Sequence, residues 1–373
     1  MRKLTRRFAS ILSPRLWPVW LASLSVWAQP APPLALKKDA PTTYTVVQGD
    51  TLWDISALYL DSPWLWPRLW QINPEIHNPD LIYPGDKLTL IWRDGQPLLS
   101  LKPMVTLSPK VRVVEKQSLP AVDEGLLLPY LQNDRLVNSA ALTQSLRVMG
   151  AGDGRQYLTA AEAVYIPGPQ THAHWGIYRP MAEFVRGDQA MTAMRLIATA
   201  ELGESDQNTS ALRVRQLRHE IRVNDIVLPE TGLESLNLTT SFFPQPAPTQ
   251  LQARILGALE GSQYAGQHHV VVIDKGTNDA LVQGSMFALY RAGVSVYADD
   301  GQYRYEAKRG DDEVVLLPAH PIGSLMVIRP YAAFSLALVT ESREPIDITV
   351  LAVAPEAADL DVAASVPHAE PAS

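Results

Sequence analysis

The sequence predicts a multidomain α+β protein, with a compact βααβ module near the amino end and then a mainly β region of two related small β-barrel or β-sandwich units. Three observations predict it. Residues 43–92 carry strand, helix, helix and strand signals in that order. Alternating apolar segments dominate from Leu146 onward. One stretch of that β region recurs without a gap 107 residues later.

In the module, Tyr44, Val46 and Val47 are β-formers that stop at Gly49-Asp50, where a turn costs little. Asp50 or Thr51 can cap the helix that follows. Asp54 stands three residues after Thr51 in capping-box register, and Leu52, Ile55 and Leu58/Tyr59 recur at helical spacing, so the helix runs from Thr51 to about Leu60. Asp61-Ser62-Pro63 breaks it. Pro67 suits the first turn of a short second helix carrying Leu69, Trp70 and Ile72, which ends before Pro74. Tyr83-Pro84-Gly85-Asp86 is a turn, and Leu88, Leu90 and Ile91 form the returning strand.

Read as Y-x-V-x-x-G-D-T-L-W-x-I, then W-x-x-L-W-x-I-N-P, then I-Y-P-G-D-x-L, this stretch resembles the LysM domain. The resemblance implies a βααβ fold that binds N-acetylglucosamine-containing glycans, chiefly peptidoglycan, in a shallow groove between two loops. On this chain it places Gly49, Asp50, Thr51 and Leu52 on one side, with Asn73, Pro74, Ile82, Tyr83 and Pro84 on the other. Turn backbones would meet the acetamido groups, and apolar faces such as Leu52, Ile82 and Tyr83 would cover sugar rings. Trp70 is expected in the core, and Trp64 and Trp66, which flank prolines, at the surface.

Composition bounds the rest. With 373 residues, 46% hydrophobic and 19% charged, the chain can bury two or three cores. A net charge of −7, with no basic stripe standing out, argues against nucleic acid as a partner. Residues 1–28 read as a secretory signal: Arg2, Lys3, Arg6 and Arg7 precede an apolar run ending in Val26-Trp27-Ala28. Pro14, Arg15 and Pro18 interrupt that run, so no stable transmembrane span is expected once the signal is removed. The expected location is therefore the periplasm or cell wall. Residues 29–42 are a Pro-rich tether.

Residues 93–145 form a connector, with a turn at Arg93–Pro97, a strand pair over Val105–Glu115, and helix-compatible stretches at Ala121–Gln132 and Leu136–Gln144. The β units follow at 146–240 and 251–355, joined by a Pro-rich linker at 241–250. Between 147–166 and 254–273 eight positions are identical, including Arg147/Arg254, Gly150/Gly257, Gly154/Gly261 and Tyr157/Tyr264. Trp175–Arg179 matches Phe287–Arg291 after a small insertion. The glycines fall where a barrel turns a corner, and no phosphate-loop spacing follows them. Residues 356–373 read as a disordered acidic tail. The whole layout resembles exported proteobacterial LysM proteins with an uncharacterised β-rich C-terminal region.

Catalytic readings fare poorly. The chain has no cysteine, which removes wall-cleaving cysteine endopeptidases and L,D-transpeptidases. His172-Ala173-His174 matches the HxH of a zinc endopeptidase, but the only earlier histidine is His77, inside the module. No G-x-S-x-G elbow occurs. No metal and no cofactor are expected. The sequence thus favours a non-enzymatic peptidoglycan binder whose β units are a structural surface or meet an envelope protein partner. Two alternatives stand beside it: a phage-type tail or baseplate LysM hub, which the signal segment opposes, and a LysM-targeted hydrolase of unrecognised type.

Overall fold

A computed structural model describes residues 34–70, 82–93, 95–102, 124–133, 135–152, 154–155, 157–159, 162–230, 242–299, 302–305 and 313–355. The signal at 1–28, the first part of the tether, Asn73, Pro74, the strand pair at 105–115 and the tail at 356–373 lie outside the described residues.

The module comprises β1 (Thr43–Thr45), α1 (Leu52–Tyr59), a 3₁₀ turn at Pro63–Leu65, α2 (Trp66–Trp70), β2 (Lys87–Arg93) and β3 (Gln96–Lys102). The three strands form one antiparallel sheet in the order β1-β2-β3. β3 was not expected. It pairs with β2 from Lys87↔Lys102 to Arg93↔Gln96, so the sheet continues past Trp92 instead of yielding to a connector. Leu98 and Leu99 are both buried there, and the burial of these two explains why the chain turns back. The end of the tether is no free spacer either. Leu34 packs on the module core, Leu36 bridges to Leu60, and Lys37 donates its amide to the Tyr59 carbonyl.

The connector holds α3 (Glu124–Leu128), a π-helical stretch at Pro129–Asn133, β4 (Arg135–Asn138) and α4 (Ser139–Leu142). Leu136 is thus in a strand and not in the expected helix, because Arg135–Asn138 pairs along a neighbouring strand at Met191–Met194. Only Ser139–Leu142 is helical, capped by the Asn138 side chain accepting from the Ala140 amide at 2.9 Å.

The first β unit contains β5 (Leu146–Arg147), β6 (Gly150–Ala151), β7 (Tyr157–Leu158), β8 (Ala163–Pro167), β9 (His174–Arg186), β10 (Gln189–Ser205), β11 (Thr209–Leu217), β12 (Ile221–Arg222) and β13 (Ile226–Pro229). The second contains β14 (Gln245–Pro246), β15 (Gln252–Ala258), β16 (Val270–Ile273), β17 (Ser285–Arg291), a β18-β19-β20 insert (Ser295–Asp299, Gln302–Arg304, Glu313–Leu316), β21 (His320–Pro330), β22 (Ser335–Ser342) and β23 (Val350–Val353). In the second, the path β17-β21-β22-β16-β15-β23 returns to β17 and closes a six-stranded barrel. In the first, β13-β9-β10-β11-β8 is closed by β5 and β6, two halves of one interrupted segment. The registers also correspond. Gly150 faces Tyr165 as Gly257 faces Val272, and Leu158 meets Ile221 as Ala265 meets Ile346. Gly150 and Gly257 have φ of +147° and +152°, which lets the segment bend and close the barrel. The Pro-rich segment before β15 lies on the second barrel. β14 pairs in parallel with β17, and Ala247 is buried with its amide on the Met286 carbonyl.

Alternation fills the barrels. In the second, Val271, Ile273, Phe287, Leu325, Val327, Ala337 and Val339 point inward. Their neighbours Val270, Val272, Met286, Met326, Ile328, Leu336 and Leu338 point outward into another buried cluster. That cluster also takes Leu127, Leu131 and Leu136 of the connector, Phe184 and Ala193 of the first unit, and partly buried Trp53 and Trp64 of the module. Polar anchors reinforce it. Arg329 donates to the carbonyls of Tyr130 and Leu131, and the Leu136 amide donates to the Tyr331 hydroxyl at 2.9 Å. Arg186 at the end of β9 makes a two-pronged ion pair with Asp279 at 2.7 and 3.0 Å.

Candidate functional site

Two Gly-Asp turns of similar build lie against each other at one end of the module. After β1, Gly49 has φ +97°, and the Asp50 carboxylate accepts from the Val47 amide at 2.8 Å and the Tyr44 hydroxyl at 2.9 Å. Before β2, Gly85 has φ +95°, and the Asp86 carboxylate accepts from the Tyr83 amide at 2.9 Å. A side chain at either glycine would strain the turn. The loops are joined by two bonds: Gly85 N–H to the Val46 carbonyl at 2.8 Å, and Val46 N–H to the Asp86 carbonyl at 2.9 Å. Burial, then the bond to Asp50, raises the pKa of the Tyr44 hydroxyl and keeps it a donor. Asp50 therefore closes its own turn.

Thr51 caps α1. Its hydroxyl accepts from the Asp54 amide at 3.0 Å, and the Asp54 carboxylate accepts from the Thr51 amide at 3.3 Å, completing the capping box. The amides of Leu52 and Trp53 have no partner among the described residues. Leu52 is fully buried, so its amide faces the interior, and the partly exposed Trp53 supplies the first-turn donor that a ligand oxygen could meet. Gly49 and Pro84 are exposed, and Asp50 and Tyr83 half-buried.

Several expected side-chain roles are corrected. Leu52 and Ile82 are both 0% exposed and pack with Ile55, Tyr59, Leu69 and Trp70. A domain this small needs these side chains for its core, so neither can cover a sugar ring. Trp66 is also in the core, not at the surface, and its ring meets Phe243 at a centroid distance of 5.4 Å. Trp64 is half-buried against the second barrel. Trp70 is buried. Burial pushes the Tyr59 hydroxyl up to about 12, so it stays neutral.

Of the two histidines in the HxH, His172 packs its ring edge-on against Trp175, and His174 lies 3.9 Å from Glu201. Among the described residues no group of three or more His, Cys, Asp or Glu side chains converges. No helix there is long and apolar enough to cross a membrane.

Residues 44–90 match the LysM domain family, and with the βααβ order and paired turns in place they form a LysM domain, a module that binds peptidoglycan and related carbohydrate. Over 63 residues the chain is 36% identical to the uncharacterized protein YqbP of Bacillus subtilis (strain 168). That stretch is 14% of this chain and spans only 29% of the relative's length. No solved structure matches the chain.

The fold also gathers residues to which the sequence assigned nothing. Arg179 and Arg195 on adjacent strands meet Arg218 and Arg222 at the end of the first barrel. The run RVRQLRHEIR at 213–222 carries the sequence signal, diluted by the acidic balance of the whole chain.

Proposed function

We propose that the protein is an exported, non-enzymatic peptidoglycan binder of the cell envelope. Its LysM loops hold N-acetylglucosamine-containing strands, and its two barrels present the module on a scaffold that also offers surface to an envelope partner. The observation that carries this reading is the pair of abutting Gly-Asp turns, which leaves exposed main chain at 47–50 and 83–85 beside the half-buried Tyr83. In this reading Gly49, Thr51 and Pro84 act through their backbones, the buried Leu52 and Ile82 hold the turns in place from beneath, and Asn73 and Pro74 belong to the facing wall by resemblance. Export rests on the charge and apolar pattern of residues 1–28.

The test is co-sedimentation of the full chain with purified sacculi. Tyr83→Glu, which places a charge on the groove wall, is expected to cut the bound fraction about tenfold with an unchanged circular dichroism spectrum. Thr51→Ala should lower stability by about 1 kcal/mol through the lost cap and retain binding. Ile82→Glu should unfold the module, since it buries a charge in the apolar core of Ile55, Tyr59, Leu69 and Trp70. A folded Tyr83→Glu protein that sediments like the parent would remove the groove from this account.

A further inference from the structure

The first barrel has a basic cleft of about 440 Å³ at one end, lined by Arg179, Arg195, Arg218, His219, Glu220 and Arg222. Ile197 lines it too and belongs to the barrel's interior cluster, so the cleft is a barrel mouth. Arg179 and Arg195 sit directly opposite each other on β9 and β10. Like charges so placed repel. Arg179 is answered by Asp225, with bonds of 2.9 and 2.8 Å, and also donates to the Glu220 carbonyl. Arg195 and Arg218 meet no carboxylate among the described residues. Arg222 reaches the exposed Glu220 carboxylate only at 3.4 Å.

The second barrel contains the same corner with its charges closed. Arg291 faces His320 across β17 and β21 as Arg179 faces Arg195. Arg291 donates to the Pro345 carbonyl as Arg179 does to that of Glu220. The Arg343 amide bonds the Ile322 carbonyl as the Arg218 amide bonds that of Ile197. By this correspondence Glu344 and Asp347 stand where the first barrel has His219 and Arg222. Glu344 accepts from Arg291 at 2.7 Å and lies 3.1 Å from His320, Asp347 is 3.5 Å from Arg291, and Arg343 is 3.2 Å from Glu341. Each basic side chain of that corner thus has a carboxylate beside it. The first barrel instead sets four guanidinium groups against the two carboxylates of Glu220 and Asp225.

We propose that the first barrel's mouth is a binding site for a phosphate-bearing ligand, whose oxyanion completes the charge balance that the second barrel achieves internally. Arginine forks match phosphate oxygens in pairs. A phosphate group carries up to two charges on one centre where a carboxylate carries one, which suits two unanswered guanidinium groups. The volume admits more than a single ion, and soluble phosphate compounds and lipid headgroups share the required chemistry. The proposal is independent of the glycan reading.

Calorimetric titration of the full chain with inorganic pyrophosphate, against acetate as a control, tests it. Pyrophosphate should bind and acetate should not. Arg195→Gln with Arg218→Gln should weaken binding by about tenfold or more, and Arg218→Gln alone by less. Arg343→Gln in the second barrel should leave binding unchanged, with thermal melts verifying each fold. Co-sedimentation with phosphatidylglycerol but not phosphatidylcholine vesicles, lost in the double variant, would assign the phosphate to a lipid headgroup. Pyrophosphate binding without vesicle binding would assign it to a soluble molecule. Absence of pyrophosphate binding, binding that the double variant keeps, or equal binding of acetate overturns the proposal.

Discussion

Tyr165 and Val272 occupy the same place in the two barrels, each opposite a glycine of positive φ, yet Tyr165 is 36% exposed and Val272 is 0% exposed. The contrast runs along whole strands. In β8 only Val164 and Ile166 are buried, whereas every residue of β16 is. Strands of one topology therefore serve two purposes: the second barrel is the hub on which connector, first unit and LysM domain pack, and the first, among the described residues, keeps much of its outer surface and one mouth uncovered. Binding beyond the LysM groove is expected on the first barrel.

The comparison can be broken most forcefully at that matched pair. Val272→Asp buries an unpaired charge between two clusters and should cost more than about 3 kcal/mol, read from urea midpoints. Tyr165→Asp should stay within about 1 kcal/mol. Equal costs would mean that the outer face of the second barrel is not packed as described.

Arg186→Gln probes the join between the barrels. It leaves Asp279 with the Gly276 amide alone and should cost about 2 kcal/mol, allowing for partial exposure of the pair. Burial works to raise the Asp279 pKa, but the bonds from Arg186 and Gly276 outweigh it and hold the carboxyl below its ordinary value. A depressed folded pKa contributes stability above the unfolded value of about 3.9, which is lost as pH falls through the folded value. The gap between parent and variant should accordingly narrow below about pH 4. A gap constant down to acid denaturation would contradict this.

The smallest effect is expected at Phe243, where the segment laid on the second barrel touches Trp66. Phe243→Ala should cost about 1 kcal/mol and speed hydrogen exchange in α2 without disturbing β22. Unchanged exchange would show that the Phe243 contact does not hold α2.

Local chemistry made much of the fold legible. The Thr51–Asp54 box and the two Gly-Asp turns depend on residues a few positions apart, and they read correctly from spacing. What escaped depends on distant partners. Ile82 sits in an irregular segment without a period, so no pattern reveals which way its side chain turns. β3 begins at Gln96-Pro97, residues that favour a turn, and becomes a strand only because β2 lies beside it. Leu136 follows β10 for the same reason. The arginines of the basic mouth come from β9, β10, the bend after β11 and β12, and only barrel closure brings them together.

The most direct measurement of the central claim is amide chemical-shift mapping of the isotope-labelled full chain titrated with an N-acetylglucosamine oligomer. The account predicts shifts concentrated at 47–53 and 82–86, with the Trp53 amide among those moving most and the first-barrel mouth silent. Shifts confined to the barrels, or none at the two turns while the oligomer binds, would contradict it.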